Sequence, residues 1–222
     1  MKKMKIAIDG PAGAGKSTVA KQVAQALSFL YIDTGAMYRA LTYAAIKHHV
    51  SPDDEASLKS LLDSIEIKLV DEQAKTRVYV NNTDVTDQVR TDEVTKSVSL
   101  VSSHGQVRKE MVRQQRLLAE DTNCVLDGRD IGTYVLPNAE LKFFLTATVE
   151  ERARRRYEEN IQKGFKQSLE QLIKDIARRD EFDSNRSFAP LRKAEDAIEI
   201  DTTSLSISEV TQTIIGYVKE RV

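Results

Sequence analysis

The run Gly10-Pro11-Ala12-Gly13-Ala14-Gly15-Lys16-Ser17 fits the pattern G-x-x-x-x-G-K-[ST] in full. Glycines at these spacings let successive backbone N–H groups turn inward as a nest around phosphate oxygens. A helix opening at Lys16 adds the positive field of its N-terminus. Lys16 can reach the β- and γ-phosphates of a nucleoside triphosphate, and Ser17 can ligate Mg2+. The context agrees with the pattern. The apolar run Ile6-Ala7-Ile8 ends at Asp9, just before the glycines, and Val19, Ala20, Val23, Ala24 and Leu27 form one helical stripe after them. Such a loop says nucleoside triphosphate, and leaves the reaction open.

Other residues narrow it. A GTPase would carry an N-K-x-D base reader and a D-x-x-G switch, and a transporter ATPase an L-S-G-G-Q-like signature; the chain has none of these. Asp33-Thr34-Gly35-Ala36-Met37-Tyr38-Arg39 follows a second apolar run. Thr34 is expected to cap a helix starting near Gly35. Arg39 then lies one turn in, near the carboxyl ends of the strands, where open α/β sheets bind ligands. It suits a second phosphate group, or it is an ordinary surface arginine. Asp127-Gly128-Arg129-Asp130 follows a third apolar run. Arg129 offers a planar fork for an oxyanion. Asp127 is either a carboxylate that helps hold Mg2+ or a plain strand-ending aspartate.

Eight of the 16 arginines lie between Arg152 and Arg192. In a helix, Arg152, Arg155 and Arg156 share one face, as do Arg179, Asp183 and Arg186 if that helix runs so far. Two such faces suit a mobile lid over polyphosphate that excludes water. The alternative is a solvated helix pair with ion pairs to Glu158, Glu159, Asp175 and Asp180.

These residues need elements to hold them. Leu30-Tyr31-Ile32, Val125-Leu126, Leu141 to Leu145 and Ile198-Glu199-Ile200 join Ile6-Ala7-Ile8 as short buried strands. Helical patterns lie between them at Lys16 to Leu27, Gly35 to His48, Val107 to Ala119 and after Ser206, with Gly164 the expected break inside the charged helical stretch 150–187. Alternation of this kind predicts an α/β fold on a parallel sheet. Ile65 to Val70 and Arg77 to Val80 alternate at period two instead, which predicts an antiparallel hairpin in a small insert. The expected division is a core of 1–62 and 99–222, an insert of 63–98 and a helical lid of 150–187.

The 222 residues, 41% hydrophobic and with net charge -1, exclude a disordered chain and a bulk-charge nucleic-acid coat. Cys124, the single cysteine, excludes an intrachain disulfide framework and reads as a buried strand residue. No apolar run is long enough for a membrane span, and no signal-peptide pattern opens the chain, so a cytoplasmic location is expected. The histidines show no metal-ligand spacing, and Asn81-Asn82-Thr83 matches a glycosylation acceptor by chance.

Gly10 to Thr18, Asp33 to Arg39, Leu126-Asp-Gly-Arg-Asp-Ile-Gly132 and Arg179-Asp-Glu-Phe-Asp-Ser-Asn-Arg186-Ser-Phe-Ala-Pro-Leu191 together resemble the bacterial cytidylate kinase family, in order and over nearly the whole chain. The resemblance implies transfer of the γ-phosphoryl of Mg2+-bound ATP to CMP or dCMP, giving CDP or dCDP and ADP, in pyrimidine nucleotide metabolism. It implies a P-loop fold with a five-stranded parallel sheet and a lid, the hairpin insert being part of an enlarged monophosphate-binding domain. Gly10, Pro11, Ala12, Gly13, Ala14, Gly15, Lys16, Ser17 and Thr18 would hold ATP. Ser99, Arg108 and Asp130 would contact cytosine, whose exocyclic amine an aspartate accepts. Arg39, Arg129 and Arg186 would hold the CMP phosphate, with Thr34 nearby. Arg179 and Asp183 would lie by the pentose, and Arg155 would follow the ATP phosphates. Lys16, Arg129, Arg155 and Arg186 are the expected catalytic residues. The family often has Ser where Thr34 stands and Gly where Ser17 stands, so Ser17 offers a Mg2+ ligand the family does not require. A monomer that binds neither nucleic acid nor membrane is expected. Two rivals remain: another small-molecule P-loop kinase, of shikimate type or for a different monophosphate, and a nucleotide-dependent nucleic-acid binder.

Overall fold

The computed structural model describes residues 3–72, 75–162, 164 and 167–221. The chain divides into two compact units. One comprises the chain up to Tyr31 with Asp121 onward, the other Ile32–Glu120.

The first unit is built on β1 (Lys5–Asp9), β6 (Cys124–Gly128), β7 (Leu141–Thr146) and β8 (Ile198–Asp201). With β2 (Leu30–Asp33), which leads into the second unit, they form a five-stranded parallel sheet in the order β2-β6-β1-β7-β8. Ile6, Ala7 and Ile8 are all buried, as a central parallel strand covered on both faces requires. On one face α1 (Lys16–Leu27) and α8 (Ile207–Lys219) bring Val19, Val23, Val210, Ile214 and Val218 onto Ile6, Ile8, Phe143 and Leu145. Ser206 and Glu209 close a reciprocal capping box at the start of α8. The helices α6 (Val149–Gln162) and α7 (Leu169–Asn185) pair over a small apolar cluster of Ala153, Leu172 and Ile176. Gly164 lies between them at φ 77.

The second unit has α2 (Thr34–Lys47), α3 (Glu55–Ser64), α4 (Asp92–Val101) and α5 (Gly105–Ala119). Its antiparallel sheet is β3 (Ile67–Glu72), β4 (Lys75–Val80) and the short β5 (Thr83–Asp84). The expected hairpin is therefore there, starting two residues later at Ile67, because Ile65 ends α3. The stretch 63–98 expected as an insert lies inside this larger unit, which has its own core of Met37, Leu41, Leu58, Leu62, Val107 and Met111. Asn81 and Asn82, both at positive φ, make the two-residue turn between β4 and β5. The acceptor-like triplet they begin is thus a hairpin turn.

Candidate active site

The carboxyl edge of the parallel sheet carries the first unit's functional groups. Gly10 follows β1 at φ 145, and a Cβ there would lie 2.1 Å from the Leu145 carbonyl oxygen. Only glycine lets the loop pass so close over β7. Gly13 and Gly15 also take positive φ, which turns the loop into the start of α1. No side chain caps α1 and its first turn holds no acidic residue, so its leading N–H groups are left to a ligand. Lys16 is buried, and its Nζ donates to the Pro11 carbonyl at 2.6 Å. Burial, and then Arg129, hold the Lys16 amine well below the usual lysine range, against the pull of Asp127 and Asp9. The ammonium therefore favours an anion as a partner.

Ser17 Oγ donates to Asp127 Oδ2 at 2.7 Å, and Tyr31 Oη donates to Asp127 Oδ1 at 2.8 Å. The strand-ending Asp127 is buried yet sits against the phosphate-loop hydroxyl, with Thr18 exposed beside it. Two hard oxygens beside a phosphate loop suit Mg2+, which keeps several waters and takes one or two protein ligands plus phosphate oxygens. Among the described residues no cluster of three or more His, Cys, Asp or Glu could hold a metal by itself.

Arg129 Nε donates to Asp183 Oδ2 at 3.1 Å, and Arg186 Nη2 to Asp130 Oδ1 at 3.2 Å. Two arginines are thus held by two carboxylates, Asp130 from the turn after β6 and Asp183 from α7. Arg179 is half-buried, and its Nε is buried with no hydrogen-bond partner among the described residues. Burial, and then the charge of Arg129, push Arg179 down to about 10. The charge of Arg129 disfavours that of both Lys16 and Arg179, the electrostatic mark of a polyanion site.

Arg152 is buried, its guanidinium bound inward to the Ala12 carbonyl at 2.9 Å, the Ala147 carbonyl at 2.9 Å and Asp180 at 2.6 Å, so it does not stand in a solvated helix pair. Arg155 pairs with Glu151 at 2.9 Å and donates to the Thr202 carbonyl at 2.5 Å. The α7 helix stops at Asn185, so Arg186 stands just past the helical face on which Arg179 and Asp183 lie. The Arg186 guanidinium holds the Ala189 carbonyl, its Nε at 2.7 Å.

Within the second unit, Asp33 rather than Thr34 caps α2. The Asp33 carboxylate accepts from the Ala36 N–H at 2.9 Å, leaving Thr34 as the buried first helical residue. An aspartate is the better cap because its charge also meets the helix dipole. Arg39 donates to Thr95 Oγ1 at 2.9 Å and to the Val89 carbonyl at 3.3 Å. Arg108 is buried, donates to the Ser102 carbonyl at 3.0 Å and lies 5.4 Å over the Tyr38 ring. Ser99 is half-buried on α4.

The family model for cytidylate kinase matches residues 6–220. The cytidylate kinase of Halalkalibacterium halodurans is 97% identical over 222 residues, covering 100% of both chains. That of a Geobacillus species is 61% identical over 219 residues, 99% of this chain and 98% of the other. The chain belongs to the cytidylate kinase family. A solved structure of an uncharacterized protein from Eubacterium ventriosum has a TM-score of 0.50 at 15% identity, over 98% of this chain and 99% of that one; the likeness concerns the fold alone. Membership makes the chain an enzyme, a kinase that phosphorylates CMP, and favours neither rival reading. The residues of this edge that sequence spacing did not single out are Asp9, Tyr31 and Thr202. Each acts across the sheet rather than along its own element. Asp9 alone left a trace, as a charge closing an apolar strand just before the loop glycines.

Proposed function

We propose that the chain moves the γ-phosphoryl of Mg2+-bound ATP to CMP or dCMP as a cytoplasmic monomer, without a nucleic-acid partner. The observation that supports the donor half is the 2.7 Å bond between Ser17 and Asp127 beside the buried Lys16. Residues 10 to 18 hold the triphosphate, and Ser17 and Asp127 are the residues that would hold Mg2+. Bound there, the ion supplies charge neutralisation on the phosphate oxygens. Lys16, Arg129 and Arg186 align the reacting groups and offset the charge that develops between them, with Arg155 serving the donor side. For the acceptor, we assign Arg129, Asp130, Arg179, Asp183 and Arg186 of the first unit and Thr34, Arg39, Ser99 and Arg108 of the second. Asp130 accepts from the cytosine amine, whereas uracil would set a carbonyl against it. A nucleoside monophosphate has its second ionisation near about pH 6. The attacking oxygen is therefore largely deprotonated at neutral pH and needs no side-chain base.

A coupled assay with ATP and Mg2+ across CMP, dCMP, UMP, AMP and shikimate tests the proposal. CMP and dCMP should turn over at least about tenfold faster than the others, the discrimination one well-formed polar contact gives. Equal use of UMP or AMP would overturn the acceptor assignment.

A further inference from the structure

The turn after β6 presents a capping puzzle. Residues Ile131–Val135 form a single π-helical turn, and Asp130 occupies its N-cap position. The Tyr134 and Val135 N–H groups both return to the Asp130 carbonyl, at 2.8 Å and 3.1 Å. An aspartate at this position ordinarily turns its carboxylate back onto the first free N–H groups. Asp130 makes no such bond. Asp9, from the end of β1, makes both. Its Oδ1 accepts from the Ile131 N–H at 2.8 Å and its Oδ2 from the Gly132 N–H at 2.7 Å. The Gly132 backbone is closely packed here, for a Cβ would lie 3.4 Å from Asp9 Oδ2 and 3.1 Å from Lys142 Cδ. The Asp130 carboxylate, not used in capping, meets Arg186 Nη2 at 3.2 Å.

We infer that Asp9 is a positioning residue for acceptor selection: it caps the 131–135 turn in place of Asp130 and so holds the Asp130 carboxylate toward the cytosine amine. A buried carboxylate is a costly cap, and both of these bonds go to the turn rather than to the strand Asp9 ends. Asp9 also directly precedes Gly10, so one residue joins the donor loop to the turn that carries Arg129 and Asp130. Without Asp9, the Ile131 and Gly132 N–H groups lose their acceptor, and the nearest replacement is Asp130 itself. Turning inward to cap, Asp130 would leave Arg186 and the base. The inference rests on the reading that Asp130 contacts the acceptor base.

The test is the ratio of kcat/KM for CMP to that for UMP in the full chain, measured for Asp9→Asn, Asp9→Ala, Asp130→Asn and the double variant Asp9→Asn with Asp130→Asn. Asp9→Asn keeps the shape of the side chain and carries the test if Asp9→Ala does not fold. The expected result is a fall of about tenfold in the ratio for each Asp9 variant, the scale of one lost hydrogen bond to a charged group. The double variant should fall no further than Asp130→Asn alone, because both changes act through one carboxylate. A purely structural role for Asp9 would lower both activities together and leave the ratio unmoved, which overturns the inference. So would full additivity in the double variant. If Asp130→Asn lowers the ratio and the Asp9 variants do not, the inference falls and the acceptor reading stands. If Asp130→Asn leaves the ratio unchanged, the acceptor reading falls and takes the inference with it.

Discussion

At Asp9, burial and function pull in opposite directions. Removal from water, partly offset by its two backbone N–H donors, pushes the carboxyl up to about 7, with Asp130 raising it further and Lys16 lowering it. In the unfolded chain the same group titrates near 3.8. Between these values the folded state binds the extra proton, so this residue's contribution to stability falls as pH rises from about 4 to 7. Asp9→Asn removes that dependence. Urea unfolding should show the parent losing on the order of 3 kcal/mol relative to Asp9→Asn across this window. Parallel pH profiles for the two proteins would remove the basis for the shift. Ionising this carboxyl as pH rises through about 7 thus costs stability. Cys124 is the contrasting case: burial raises its thiol to about 11, and it is inert in the strand.

Among elements, the α6–α7 pair is secured to the sheet by side chains more than by apolar burial. Its own cluster of Ala153, Leu172 and Ile176 is small. Arg152 does the joining, binding carbonyls of the phosphate loop and of the segment after β7 while pairing with Asp180 on α7. Arg152→Met would leave a partly buried Asp180 without its cation, costing about 3 kcal/mol. Amide exchange should rise in α6 and α7 while β1, β6 and β7 keep their protection. Unchanged protection in α6 and α7 would rule Arg152 out as the tie. Adding Asp180→Asn should recover part of the loss, since the unpaired charge is then gone.

For the whole molecule, a net charge of -1 conceals how the arginines are held. Of those between Arg152 and Arg192, Arg152, Arg154, Arg155, Arg156, Arg178 and Arg186 pair with carboxylates. Arg179 is the member of that group whose buried Nε has no partner among the described residues. The cationic excess is therefore largely neutralised within the chain, while Arg179 shares its surroundings with Lys16 and Arg129. No helix among the described residues is long and apolar enough to cross a membrane. A ligand that binds only the folded protein stabilises it by mass action, by about 2.7 kcal/mol at a hundred times its Kd, or roughly 5–10 °C in Tm for a chain of this size. CMP should give such a shift in thermal unfolding and UMP at equal concentration a smaller one. Equal shifts would contradict selection for cytosine at the level of binding.

The sequence alone determined the phosphate loop, the strands that feed it and the order of the sheet's helices, because these depend on local spacing. Gly10 to Ser17 must form a nest wherever a strand precedes them and a helix follows, and Ile6 to Ile8 can only be a covered strand. The resemblance across four blocks carried the residues proposed for the acceptor, and family membership agrees with the activity it implied. Partners were a different matter. Which carboxylate caps which turn, that Asp127 meets both Ser17 and Tyr31, and that Arg152 reaches the phosphate loop are decided between residues 96 to 140 positions apart. Asp180, the carboxylate that pairs with Arg152, is 28 residues from it and on another helix. Helical spacing could give Arg152 a face but not a neighbour, and Thr34 was the expected cap until the backbone showed that the Asp33 oxygen reaches the Ala36 N–H. Only the packed sheet, by bringing the ends of β1 and β6 side by side, puts a carboxylate from one strand onto the turn of the other.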